Sequence, residues 1–600
     1  MTGATQVSDL PVPNAYQSTP APGSTESAFV AKYNEAGQLL WCTYLGGNNQ
    51  SMGIGVAAMP NGGVVVVGIT TSNGSGSFPT LNAFQSQNHG QSDYFVSVFN
   101  ANGKLVYSTY LGGSGAEGNV GGTPGQIIFT DDSNPGNCVA VDANGLIYVS
   151  GITTSSNLPV TANAQQSNLA GTTNACLFII DPSKSGAASL VYSSFLGGDH
   201  DSQGHSVAVD PSGRYISVAG FTTSSNFPTT NNAYRSTAPP GGFTTGSSNG
   251  FITEFQSSHP GSPSSQYTMR YSTYLGANSS TARDDVYGMT MEPTGLIVAT
   301  GRTQSAGFPM TKGGPTIFNS APYLKEGVSG DEPYLVKINP SLNGTASLVY
   351  STFLGGGSAS GAWGSWPTSV AVDARGAVYV AGETGLNTPG EPVPSTLTAP
   401  EMFPYTPNAF LQGPQGSEDA MLMEINPSGD SLGYSTYLGG TESDRTYGLA
   451  VDPDGNVVLS GLTFSSNFPT QNAAQTWPGN AGQNAFVTEF SPLYTPNNLI
   501  VDNGSTYTVA GNNTYDNEYI GQNSTGTLIQ GDFTNTVNNN LELGQNAGSS
   551  GSYTLSDSGS GSLLSVAGNE YIGYSGTGAF TQTGGTNTVT GIQILAANPG

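Results

Sequence analysis

The phrase Tyr434-Ser-Thr-Tyr-Leu-Gly-Gly440 returns along the chain, and a repeat of this size mostly decides what a sequence can fold into. Its relatives begin at Trp41, Tyr107, Tyr192, Tyr271 and Tyr350, so that successive copies stand 66, 85, 79, 79 and 84 residues apart. That interval is too long for one hairpin and suits a four-stranded unit with one generous loop.

The rest of each copy supplies the other strands. Ser369 to Gly382 holds two short apolar runs around Asp-x-x-Gly, a tight hairpin turn, and has sisters at 138–151, 206–220, 288–301 and 448–461 and a looser one at 56–68. A second hairpin pairs a run such as Asp93 to Asn100 with the Tyr-Ser-Thr-Tyr-Leu strand. Within Val106 to Leu111 both faces carry apolar groups, which a sheet covered on only one side would not show. Small four-stranded sheets stacked face to face around an axis meet that demand, and the fold class expected is all-β: a β-propeller of six to seven blades over residues 1–495. Val-Ala-Val is placed at the crowded axis and Tyr-Ser-Thr-Tyr-Leu at the rim. Between the two hairpins runs Gly-x-Thr-x-Ser-x-x-Phe-Pro, as at 220–228 and 461–469, and its Phe is expected to anchor a long loop by burying one ring.

Composition agrees with this reading. Only 9% of residues are charged, and 84 glycines stand in a Ser-, Thr- and Asn-rich background suited to turns. The formal net charge of −26 repels phosphate backbones, so nucleic acid is excluded as a partner. No apolar run reaches the length of a transmembrane segment, and the N-terminus lacks the features of a signal peptide. Cys42, Cys138 and Cys176 lie in strand-like runs and are expected to fill a core rather than form disulfides.

Taken together, Val-Ala-Val-Asp-x-x-Gly-x-Val-Tyr-Val-x-Gly, Phe-Pro, Asp-Ala-Phe-Val and Tyr-Ser-Thr-Tyr-Leu-Gly-Gly resemble the bacterial SBBP family, the seven-bladed β-propeller repeat. The first hairpin by itself is also similar to an NHL repeat. The Ala-Phe-Val run occurs seven times, whereas the inner hairpin and the outer strand each occur six. Either the N-terminal strand closes the ring by completing the last blade, or the chain is a fragment of a longer one with its first blade incomplete at the N-terminal side; the fragment is the expectation.

From Leu499 a different period begins. Ile520, Leu543, Ile572 and Ile594 stand 23, 29 and 22 residues apart between Gly/Ser/Asn turns, which reads as a β-solenoid over 496–600, truncated at its end. This part resembles the low-complexity repeats of autotransporter-like and PEP-CTERM surface proteins. The two resemblances imply an extracellular or cell-surface protein that is non-catalytic and serves as a binding or scaffold module for a carbohydrate or protein.

Candidate site residues follow from the long connections, which gather at one end of the blades. After Leu-Gly-Gly these connections carry Asp199 and Asp201, Asp284 and Asp285, and Glu442 and Asp444, with Arg283 and Arg445 adjacent. Such acids can cap their own turns, hydrogen-bond sugar hydroxyls or hold calcium, and turn-capping is the preferred reading; no cofactor is expected. Trp363 and Trp366 are candidates for stacking on a sugar or a partner side chain, or for packing on a neighbouring loop. The alternative function is a polysaccharide-active enzyme using paired interblade acids, which would need carboxylates about 5 Å or about 6.5–9.5 Å apart.

Overall fold

The outer strand shows how each blade is assembled. In Leu105–Leu111 the Ser108 hydroxyl donates to Pro79 O at 2.7 Å, Thr109 Oγ1 accepts from Gln85 N at 2.9 Å, and Tyr110 OH accepts from Phe78 N at 2.8 Å. Each residue of Ser-Thr-Tyr thus holds a different point of the Phe-Pro loop, which runs beside the rim of the sheet. Phe78 is buried and stacks on Phe95 with ring centroids 4.3 Å apart. Phe227 on Phe251, Phe308 on Tyr334 and Phe468 on Phe486 repeat the arrangement. The Phe-Pro pair is an anchor, as expected.

In the computed structural model, the described residues are all but 75–76, 119–136, 263, 306, 312–331, 356–364, 386–402, 428, 430, 453–454, 474, 476–481, 492–498, 516, 539, 560 and 596–600. The chain divides into two compact units, Met1–Leu493 and Tyr494–Gly600. The first is a seven-bladed β-propeller of antiparallel sheets. The second blade shows the order, running outward through Ser51–Ala58, Val64–Thr70, Asp93–Phe99 and Leu105–Leu111. Among the described residues the first sheet holds Thr2–Thr5, Ser27–Tyr33 and Leu39–Leu45, without an inner strand, and the seventh holds Asp444–Val451, Val457–Thr463 and Asn484–Phe490, without an outer one. Six hydrophobic clusters lie one at each junction between consecutive sheets. The three cysteines are free and buried, Cys138 and Cys176 in the cluster between the second and third sheets. No α-helix occurs among the described residues, and no helix there is long and apolar enough to cross a membrane.

The second unit is a β-solenoid of three parallel sheets. Glu518–Ile520, Leu541–Leu543, Glu570–Ile572 and Gln593–Leu595 are successive strands of one sheet. Ile520 faces Leu543 and Leu543 faces Ile572, as the spacing predicts. The last step differs: Ile572 pairs with Leu595 and Ile594 with Tyr571. In this register Gln593 lies beside Glu570 and donates to its Oε2 at 3.0 Å, a polar contact that the apolar spacing does not reveal.

Candidate functional site

A pair of residues stands at or just before the head of the inner hairpin, in the third blade ahead of the inner strand itself where Glu117 bridges Thr153, and the two do different work. The first seals the junction with the preceding blade. Asp284 Oδ2 accepts from Ala277 N at 2.7 Å, Asp444 Oδ2 from Gly440 N at 2.7 Å, and Glu117 Oε2 from Gly113 N at 3.2 Å, so each carboxyl caps the turn after its Leu-Gly or Leu-Gly-Gly. Asp284 and Glu117 also meet the first residue of the preceding blade's third strand: Asn249 Nδ2 donates to Asp284 Oδ2 at 3.0 Å, and Asp93 faces Glu117. Asp444 faces Asp419, the second residue of its strand. The first glycine of the turn lies against both: a Cβ on Gly112 would stand 2.3 Å from Asp93 Oδ1 and 2.5 Å from Glu117 Oε2. Burial raises these carboxyls, Asp284 to about 7 and Asp93 to about 8, against hydrogen bonds that pull the other way; Glu117, Asp419 and Asp444 are raised too.

The second residue of the pair lies at the head of the inner strand, and across blades four to seven these residues form a cluster with their cross-strand partners. Asp285 is its anchor. Its Oδ2 accepts from Arg283 Nε at 2.6 Å and Tyr287 OH at 3.2 Å and lies 4.0 Å from Arg302 Nε, while its Oδ1 accepts from Ser248 at 2.7 Å. Arg302, opposite Asp285 in the hairpin, places its guanidinium carbon 4.0 Å from the Trp366 ring centroid, a cation–π contact. On the other side the His205 ring lies parallel to Tyr287 at 5.6 Å, with Phe221 edge-on at 5.3 Å. Trp366 pairs with Glu383, and Glu383 Oε2 lies 3.0 Å from Arg445 Nε, whose Nη2 also donates to Glu418 Oε2 at 2.8 Å. Burial alone would lower the Arg445 pKa, but these two carboxylates outweigh it and raise it.

The structure thus joins Arg283, Asp285, Trp366 and Arg445 in one chain of contacts. Asp284 and Asp444 lie just outside it as buried caps. Asp199 and Glu442 are exposed on interblade turns, Asp201 is half-buried with Thr172 donating to its Oδ1, and Trp363 lies outside the described residues. Trp366 is 5% exposed and begins a strand, so its ring serves Arg302 and Tyr287. Sequence reasoning missed His205 as a ring partner, and Tyr287, Arg302, Glu383 and Glu418 altogether. The signal that could have found them is positional: where the sister hairpins carry Met52 opposite Ile69 or Gln203 opposite Phe221, the fifth blade carries Asp285 opposite Arg302.

No curated protein sequence matches the chain. Among solved structures, Kuenenia stuttgartiensis hydrazine synthase is 10% identical over 68% of this chain and 76% of its own, with a TM-score of 0.29. The tricorn protease is 9% identical over 78% and 34%, at 0.31, and puromycin hydrolase 10% over 68% and 50%, at 0.27. Likeness at this level says nothing about this chain's activity. Residues 433–469 run from the sixth outer strand through the Gly-Gly turn and the inner hairpin to Phe-Pro, and they match the family model of the SBBP β-propeller repeat, so the chain carries that repeat within a seven-bladed propeller.

Proposed function

We propose that this chain is a non-catalytic, extracellular or cell-surface bacterial protein whose propeller is a binding module, with a carbohydrate or protein partner docking at the inner-strand heads of blades four to seven. One observation carries the reading. Guanidinium groups, carboxylates and aromatic faces from four blades meet in a single cluster whose outer members, Arg283 and Arg445, keep 23% and 19% of their side-chain surface in solvent. Rings supply flat apolar contact, and the Arg–carboxylate pairs supply fixed donors and acceptors, a combination that recognises hydroxyl-rich or peptide surfaces. The pairing of every acid in the cluster with an arginine or a hydrogen-bond donor supports binding over acid–base chemistry.

The test is titration of the protein with neutral oligosaccharides and surface-protein ectodomains, read by tryptophan emission and calorimetry. Arg283→Gln is expected to weaken the bound ligand by about tenfold or more, since a charge-assisted bond is worth about 1.5–3 kcal/mol. The variant should keep its fold, because Arg302 and Tyr287 still face Asp285. Release of reducing ends from a polysaccharide, abolished by changing these carboxyls, would overturn the reading in favour of an enzyme.

A further inference from the structure

No lysine, arginine or histidine follows Arg445, so the solenoid unit has no cationic side chain to neutralise its acids. Two of those acids point inward. Glu518 and Glu570 are fully buried, occupy the same position in their strands, and are separated in the column by Leu541. Each faces an asparagine of the adjoining sheet: Asn535 Nδ2 donates to Glu518 Oε1 at 2.8 Å and Asn587 Nδ2 to Glu570 Oε2 at 2.9 Å. Asn535 also donates to Tyr553 OH at 3.0 Å, and that hydroxyl donates to Gln530 Oε1, whose amide nitrogen is spent on Phe533 O and Leu563 O. This relay fixes which end of the Asn535 amide is nitrogen.

Within these two pairs four buried oxygens are left without a partner, Glu518 Oε2, Asn535 Oδ1, Glu570 Oε1 and Asn587 Oδ1; Glu542 Oε2 is a fifth in the unit, outside the pairs. The four fall as one carboxyl oxygen and one amide oxygen in each pair, and all are acceptors if the glutamates are ionised. One proton per pair satisfies both members, whereas an ionised carboxylate would be buried with neither counter-ion nor full hydrogen bonding.

We propose that Glu518 and Glu570 are held as neutral carboxylic acids in the folded solenoid, each closing a two-point ring with its asparagine in which the carboxyl O–H donates to the amide oxygen. The protons are taken up from solvent on folding, so the solenoid carries a pH-sensitive switch repeated two rungs apart. The remaining titratable groups around the carboxyls are Tyr515 and Tyr553, which are neutral at ordinary pH, and the other glutamate; Glu542 points to the opposite face of its strand. Burial raises Glu518 to about 7 and raises Glu570 as well, with the asparagine bonds opposing. The folded state therefore holds a proton that the unfolded chain has released. Stability is greatest below the ordinary glutamate range, about 4.5, and falls as pH rises to about 7.

Hydrogen exchange of the full chain, resolved by peptide, tests this. Protection factors over 518–543 and 570–589 should fall by about tenfold or more between about pH 5 and about pH 9, while Glu518→Gln with Glu570→Gln should abolish most of that fall, because a glutamine amide also donates to the asparagine oxygen. Burial raises Glu542 too, and that residue still titrates in the variant. Equal wild-type protection at both pH values overturns the proposal, as does a double variant that keeps the wild-type pH dependence. If the variant fails to fold, the wild-type profile decides alone.

Discussion

Asp93 occupies the position at which the third, fourth and seventh blades place Asn174, Asn249 and Asn484. One end of the group is alike in the second and third blades: Asp93 Oδ2 accepts from Gln85 and from His89 N at 2.9 Å, as Asn174 Oδ1 accepts from Gln166 at 3.1 Å and Ala170 N at 2.9 Å. The other end differs, because an asparagine offers an N–H there while Asp93 Oδ1 is buried without a partner and faces Glu117. A proton shared between the two acids would replace the missing N–H. Burial, with Glu117 adding to it, raises Asp93 from 3.8 to about 8, so its contribution to folding is complete below about 3.8 and is lost as pH rises through about 8. Asp93→Asn should lose less stability between about pH 5 and about pH 9 than the parent, the remaining loss belonging to the other raised carboxyls such as Asp284; identical pH profiles in thermal melts would remove the shared proton. The sequence shows Asp93 and Glu117 only as separate acids. Their meeting depends on the junction between two blades, which no local pattern encodes.

At the scale of the strand, Tyr-Ser-Thr-Tyr-Leu was legible because every copy repeats its surroundings as well as itself. Its two-sided burial and its place at the rim follow from residue types, but the division of labour within it does not, since serine, threonine and tyrosine each choose a backbone group on a loop that passes beside the sheet. Tyr110→Phe removes the acceptor for Phe78 N and the donor to Ser72 O at 3.1 Å. Stranding that buried N–H should cost about 1–3 kcal/mol, and Leu438→Ala, which empties a buried site, about 2–5 kcal/mol in chemical denaturation. A loss in Tyr110→Phe no larger than that of a surface substitution would show that the loop holds without its pin. The axial cluster was less legible for the opposite reason: Asp285, Trp366 and Arg445 stand where the repeat departs from itself, so a motif built from what recurs passes over them.

For the whole molecule, the uneven ends of the repeat become an uneven distribution of stability. The third strand of the second blade, Asp93–Phe99, is buried at every position between two partner strands. Among the described residues its counterpart Asn484–Phe490 has a partner strand on one side only, and Val487 is 39% exposed. Hydrophobic clusters fill the six junctions between consecutive sheets, and among the described residues none joins the seventh sheet to the first. Exchange protection tracks buried contact and the number of paired edges, so amides of Asn484–Phe490 should exchange at least about tenfold faster than those of Asp93–Phe99, with the blades between them graded by their distance from the ends. Uniform protection across all seven third strands would mean instead that the first and seventh sheets shield one another in solution, and that the ring behaves as a single cooperative body rather than as a stack with two weaker ends.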